Sequence, residues 1–280
     1  MKKRYFIIAC LIAINASAQD SISLEILHTN DTHSCIQPLS KNLADTTKAN
    51  RGGYLRRMAM LDIERAANPQ LLLFDSGDFS QGSTYYTLFK GDVEIGLMNL
   101  MHYDAATLGN HEFDFGMDNL EHLVKTANFP IVCANYDFKN SKLEGLVKPY
   151  TIIYRNGIKI GVFGLSPKLK GLAFDKNFTN VVFNDPIPVA EKTAYYLKNT
   201  EHCDFVICLS HLGWSLKDGY SDDYLMAKTR NIDLVLGGHS HTFFKQLQWV
   251  KNEDGKEIPN DQNGNQGIWI GKMIIQMIKK

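Results

Sequence analysis

The sequence predicts an α/β fold: one domain with a mixed sheet, or two stacked sheets, flanked by helices. Three observations carry this reading. Short apolar runs alternate with segments of helical spacing along the whole chain. Several of the runs are continuously apolar, as in strands covered on both faces. No linker, repeat or low-complexity tract divides the 280 residues, a length that suits one large α/β domain.

The chain opens with MKKRYFIIACLIAINASA, residues 1–18. A basic head, an apolar run and the small-residue site Ala16-Ser17-Ala18 read as an export signal cleaved before Gln19. The catalytic domain is then expected over 19–280. The apolar run, about 14 residues, is shorter than the roughly 20 that a bilayer needs. The expectation is a bacterial periplasmic protein with no transmembrane segment after cleavage. Cys10 offers a competing lipoprotein anchor, but the apolar run continues past it.

SLEILHTN (23–30) alternates as a strand, and YLRRMAMLDIERAA (54–67) has helical spacing. LLLFDS (71–76) is the next strand. VEIGLMNLM (93–101) and MDNLEHLVKTA (117–127) are helical, and FPIVCANY returns to a strand. PYTIIYRNGIKIGVFGLS reads as a hairpin, two β-branched runs joined through Asn156-Gly157. IPVAEKTAYYLKN (187–199) is helical. DFVICLS (204–210) and IDLVLGG (232–238) are buried strands. A charged, Gly- and Asn-rich loop over 251–266 leads to a last strand, GIWIGKMIIQMI.

The 30 basic and 30 acidic side chains balance. With no basic stripe, electrostatics give no reason to expect nucleic acid. Loss of Lys2, Lys3 and Arg4 with the leader would make the chain slightly acidic. Cys35, Cys133, Cys203 and Cys208 form no CxxC motif, and three of them sit in apolar runs. Free buried thiols are expected, although an exported location permits a disulfide.

Five polar clusters stand at strand ends or beside glycines. Asp31 and His33 are two apart after the first strand, so in an extended chain they face the same side and can hold one cation. Asp78 follows Gly77, where the backbone can turn sharply; its two oxygens can bridge two cations, or it can cap a helix. In Gly109-Asn110-His111-Glu112-Phe113-Asp114, Asn110 offers a neutral carbonyl ligand or a turn residue. Asp114 is placed to orient His111, or to sit in a helix's first turn. The fourth cluster, with His211, follows DFVICLS, and the fifth, with His239 and His241, follows the two glycines of IDLVLGG. Each alone reads as an ordinary loop residue. Together they fall where α/β sheets gather ligands, at the carboxyl ends of strands. His28, His102, His122 and His202 lack this setting and are taken as structural.

In this order, N-D-T-H, G-D, G-N-H-E-F-D, S-H-L-G and G-G-H-S-H resemble the calcineurin-like metallophosphoesterases, most of all the 5′-nucleotidase and UDP-sugar hydrolase branch. The resemblance implies a four-layer α/β/β/α sandwich. It implies two divalent cations: one on Asp31, His33, Asp78 and His241, the other on Asp78, Asn110, His211 and His239. Several nucleotidases of the branch have glutamine at the position of His241, a difference expected to alter metal preference more than reaction type. His111 matches the catalytic residue, with Asp114 holding it, and Asn110 and His111 would contact the substrate phosphate. Mixed nitrogen and oxygen donors suit Zn, Mn or Fe.

The implied activity is hydrolysis of small phosphoesters, with 5′-nucleotides as the expected class. Relatives of this branch usually carry a C-terminal domain with an aromatic base clamp and phosphate-binding arginines, for which no counterpart is expected here. Two expectations follow: a complete phosphatase of loose specificity, or a catalytic half that needs a separately encoded nucleotide-binding domain. An exposed apolar rim at the metal mouth would favour the second. Tyr85-Tyr86 and Phe243-Phe244 are packing residues that could contact substrate. Phosphodiester, other-ester or thiosulfonate-type hydrolysis, and a non-catalytic metal-binding module, are the alternatives. The intact His111–Asp114 pair argues against the last.

Overall fold

The computed structural model describes residues 21–217 and 219–278. The leader, its cleavage site and Cys10 lie outside them. The first half runs β1 (Ser21–Thr29), α1 (Tyr54–Ala67), β2 (Leu72–Asp75), α2 (Thr84–Phe89), α3 (Asp92–Leu100), β3 (Ala105–Thr107), α4 (Gly116–Thr126), β4 (Ile131–Val132) and β5 (Tyr136–Asp137). The second runs β6 (Tyr150–Arg155), β7 (Ile158–Leu165), β8 (Val182–Phe183), α5 (Pro186–Asn199), β9 (Phe205–Ser210), α6 (Asp222–Ala227), β10 (Leu234–Leu236), β11 (Gln248–Lys251), β12 (Glu257–Asp261) and β13 (Gly271–Ile278).

Two sheets stack face to face. The first has the order β13-β1-β2-β3-β4, and the second β11-β12-β10-β9-β7-β6. Strands β1 to β4 are mutually parallel, as are β12, β10, β9 and β7. The antiparallel partners β13, β11 and β6 lie at edges. The two-residue alternation of strand side chains sorts the core into layers. Leu24, Ile26, Leu72 and Phe74 meet Ile160, Val162, Ile207, Leu209, Leu234 and Leu236 between the sheets. The opposite faces meet helices: Leu71, Leu73 and Ala106 pack with α1, α3 and α4. Phe163, Val206, Cys208 and Val235 pack with α5 and α6. This is the four-layer α/β/β/α arrangement.

Local chemistry explains the elements. Helix α5 starts with Pro186 at its first turn, and the Asp185 carboxylate accepts the Ile187 N–H, both good starts for a helix. Its buried residues Pro186, Ala190, Ala194 and Leu197 form one stripe. Asn156 and Gly157, at φ 51° and 78°, make the two-residue turn whose twist suits a hairpin. Cys35, Cys133, Cys203 and Cys208 are buried free thiols.

One expectation fails. The segment 251–266 is not simply a loop, because β12 lies within it and pairs with both β10 and β11. The β12 end and its extension, Asn260 to Asn263, are buried yet polar, so no apolar alternation marks them.

Candidate metal centre

Because the strands concerned are parallel, the carboxyl ends of β1, β2, β3, β9 and β10 open on one edge of the stacked sheets. The five clusters meet there. A ligand atom from each of Asp31, His33 and His241 lies within 4.8 Å of the others; so do those of Asp78, His211 and His239, and those of His33, Asp78 and His111.

Backbone geometry makes this possible in a way the sequence did not show. Asp31 and His33 are not extended: their φ angles are 48° and 43°. Asp78, His239 and His241 are also left-handed, at 55°, 73° and 53°. Non-glycine residues in this region cost of order 1–3 kcal/mol each and cluster at functional sites. The strain is held by cross-loop bonds. Asp31 N–H donates to Gly77 O at 2.9 Å and His33 N–H to Asp78 O at 3.0 Å. The reading of Asp78 as a helix cap fails, since Ser83 caps α2.

Asp31 is wholly buried. Its oxygens accept the His239 N–H at 3.0 and 3.1 Å and the Asn30 amide at 2.6 Å. His241 Nε2 stands 3.3 Å from Asp31 Oδ1 and 2.9 Å from His33 Nε2. His211 Nδ1 donates to Ser76 O at 2.6 Å, which aims Nε2 at Asp78 Oδ2, 3.1 Å away. That pair is close without being aligned as a hydrogen bond, and His211 Nε2 has no partner. Asn110 Oδ1 is also buried and unpartnered. Buried polar atoms are normally satisfied. These two orphans, on a carbonyl oxygen and an imidazole nitrogen beside a carboxylate, fit a shared divalent cation.

Electrostatics agree. Burial alone would raise the Asp78 carboxyl, but His211, His33 and His111 hold it well below the usual range. Burial works against the His211 proton, yet Asp78 and Asp31 push its pKa up to about 10. Burial, then His211, lowers His239 to about 4, leaving it neutral with a lone pair to offer. His111 Nδ1 is 2.9 Å from Asp114 Oδ2. Although burial opposes it, that bond and Asp78 raise the His111 pKa.

Further residues, to which the sequence reading assigns no role, support the site. Glu112 is buried; its Oε2 accepts the N–H groups of Asp78 (3.0 Å) and Gly109 (2.6 Å), and its Oε1 that of Ser80 (3.1 Å). It thus ties the second cluster to the third. Burial and then Asp78 raise its pKa to about 7. Gln262 Oε1 accepts the Thr242 N–H at 2.6 Å while its amide donates to Gly238 O at 2.9 Å, fixing the loop of His239 and His241. Glu112→Gln places an N–H₂ where backbone donors need an acceptor, a mismatch worth about 1–3 kcal/mol. Urea unfolding should show that loss, with weaker metal retention. Unchanged stability and metal content would show that Glu112 is not a support.

Of the aromatic pairs, Tyr86 is buried and donates to His111 O, and Phe244 packs on Trp214. Phe243 is 41% exposed and stacks on Trp269, which is 43% exposed. Asn265, in the same loop as Trp269, meets His241 Nδ1 at 3.1 Å. Of the histidines read as structural, His28 is buried against Asp261, and His122 pairs with Asp92 at the surface.

Sandwich and site together define a class. The family model for calcineurin-like phosphoesterases matches residues 24–243, and the chain belongs to that family. Within it, the chain is similar to 5′-nucleotidases. It is 36% identical to that of Bos taurus over 245 residues, covering 85% of this chain and 41% of that protein. With the Homo sapiens 5′-nucleotidase it shares 36% identity over 258 residues, covering 89% of this chain and 43% of the relative. The chain thus spans less than half the length of these two relatives. Among solved structures, a 5′-nucleotidase precursor from Thermus thermophilus superposes with a TM-score of 0.82 at 31% identity, covering 91% of this chain and 51% of that one. The NAD nucleotidase of Haemophilus influenzae gives 0.80 at 28%, covering 92% and 53%. Among the described residues no helix is long and apolar enough to cross a membrane.

Proposed function

We propose that the chain is a dinuclear-metal phosphoesterase acting on phosphate monoesters, with 5′-nucleotides as the substrate class. The observation that carries the reading is the position of Asp78, whose ligand atoms take part in both the His33–His111 group and the His211–His239 group. Asp31, His33, Asp78 and His241 would hold one ion, and Asp78, Asn110, His211 and His239 the other. Zn, Mn or Fe suits this donor set. When bound, two such cations polarise phosphoryl oxygens and acidify the attacking water.

The chain's residues do the rest. Asp114 fixes Nδ1 of His111, so the other ring nitrogen is the one free to meet the phosphoryl group or give its proton to the leaving oxygen. The raised pKa of His111 favours the protonated ring that this needs. Asn110 lies next to it, where its amide can bind a phosphoryl oxygen. Phe243 and Trp269 offer an exposed aromatic surface beside the loop of His241, suited to a nucleobase. The leader supports export to the periplasm.

The test is phosphate release from 5′-AMP by purified residues 19–280 loaded with Mn or Zn. Turnover that a chelator abolishes and metal restores is the expected result. No turnover with two metals bound would overturn the nucleotidase reading. It would instead favour a separately encoded domain docking on the Phe243–Trp269 rim, the second reading that this exposed pair supports.

A further inference from the structure

Asn177 is a polar side chain buried where the local sequence gives no reason for one. It stands in FDKNFTN, residues 174–180, between Phe174 and Phe178. Its N–H donates to Phe174 O at 2.7 Å and closes the 3₁₀ turn Asp175–Asn177. Phe178 packs against the helix-side core of the first sheet, which anchors the turn. Only 8% of Asn177 is exposed. A buried amide needs a partner, and Nδ2 has one: it donates to the backbone carbonyl of Asp114 at 2.7 Å, across 63 residues of chain.

Asp114 is the residue that meets the His111 ring, Oδ2 to Nδ1 at 2.9 Å. Both side chains are 29% exposed. Ion pairs open to water are worth about 0–1 kcal/mol, too little to fix an imidazole alone. The geometry of the pair therefore follows from where the backbone puts each residue. His111 is placed from outside its own turn: its N–H donates to Asp78 Oδ1 at 2.9 Å, and its carbonyl accepts the Tyr86 hydroxyl at 3.2 Å. The Asp114 N–H stays within the turn, on His111 O at 3.2 Å. The Asn177 amide ties Asp114 to an element outside that turn.

We propose that Asn177 is a positioning residue for the His111–Asp114 pair. By holding the Asp114 carbonyl it sets the angle at which the carboxylate meets Nδ1, and so where the other ring nitrogen points. The proposal rests on the reading of His111 as the group that gives its proton to the leaving oxygen as the P–O bond breaks. A misplacement of about 1 Å at a reacting group can cost on the order of 10²-fold in rate. Asn177 also lines a surface cavity of about 630 Å³, with Phe115, Ser141 and Lys176. Water from this cavity can take over the Asp114 carbonyl once the amide is removed, so the fold survives while the position is lost.

The test compares wild-type protein with Asn177→Leu, which keeps the volume without the donor, and Asn177→Ala, on two esters. 5′-AMP releases an alkoxide that needs a proton; p-nitrophenyl phosphate releases a phenolate that leaves without one. In both variants kcat on 5′-AMP should fall roughly tenfold with KM within about twofold, a part of the 10²–10⁴-fold that acid catalysis supplies. The nitrophenyl ester should stay within about threefold of the wild-type rate, because it does not draw on that acid. A merely structural role would lower both rates together. A second readout needs no activity. In metal-free protein with nitrogen-15-labelled histidine, the His111 Nδ1 proton should exchange with water roughly tenfold faster in Asn177→Leu, the scale of one lost hydrogen bond. The proposal is overturned if both esters slow equally, if Asn177→Leu matches wild type, or if proton exchange is unchanged. Wild-type protein that hydrolyses neither ester would sink the reaction reading instead, and proton exchange alone would then decide the positioning role.

Discussion

Asp78→Ala should remove nearly all phosphoesterase activity, and more of it than any other single ligand change. Both carboxylate oxygens are committed: Oδ2 faces His211 Nε2 at 3.1 Å and Oδ1 accepts the His111 N–H at 2.9 Å. The side chain also stands in two of the three candidate ligand groups. Its loss would take a ligand from each proposed ion, unseat the backbone of His111, the proposed catalytic residue, and leave His211 Nε2 without the carboxylate beside it. On the proposed roles, His111→Ala removes only proton transfer and charge stabilisation at the substrate, typically worth about 10²–10⁴-fold, and should leave both proposed ions in place. Phosphate release and metal content by atomic emission give the comparison. Asp78→Ala should retain fewer than two metals and show the lower residual rate; equal rates with two metals in each would sink the ranking. Asp78→Asn, which keeps an acceptor for the His111 N–H without the charge, should resemble alanine if charge dominates.

How far the sequence foretold this follows from what each position needs physically. Strands buried on both faces write themselves as apolar runs, so β2, β9 and β10 are legible, and with them the edge where parallel strands end. Helix α5 is legible because its cap, its proline and its apolar stripe agree. The metal candidates are legible because imidazoles and carboxylates recur at those strand ends, whereas any one of them alone is an ordinary loop residue. Asp31 and His33 come together through left-handed backbone at both residues, not through the strand alternation that their spacing suggests. Strand β12 was hidden because its buried end serves the site rather than the core. Asn260 bonds Asp222, Asp261 meets His28, and Gln262 holds the histidine loop. Glu112 stands within G-N-H-E-F-D, but its supporting role is not legible there, since its partners are backbone N–H groups brought together only by the folded chain.

The same logic makes Gly109 as critical as a ligand, although it carries no side chain. Its φ is ordinary, so turn geometry does not demand glycine. Close approach does: a Cβ there would lie 2.1 Å from Asp78 Oδ1 and 2.7 Å from the Asp78 nitrogen. Neither atom can yield freely, because the nitrogen is held by Glu112 and the oxygen by the His111 N–H. Gly109→Ala must therefore push the Asp78 carboxylate off both proposed ion positions or open the loop that Glu112 closes. Activity and metal content should fall nearly to the Asp78→Ala level, while overpacking costs about 1–3 kcal/mol of stability, so the chain stays folded by circular dichroism. Gly96 supplies the control. It lies in α3 with nothing within 4 Å of its notional Cβ, so Gly96→Ala should keep full activity and gain about 0.5–1 kcal/mol from helix propensity. A Gly109→Ala protein with two metals and wild-type turnover would show that the carboxylate has room to move, and that the backbone contact around it does not set the geometry of the site.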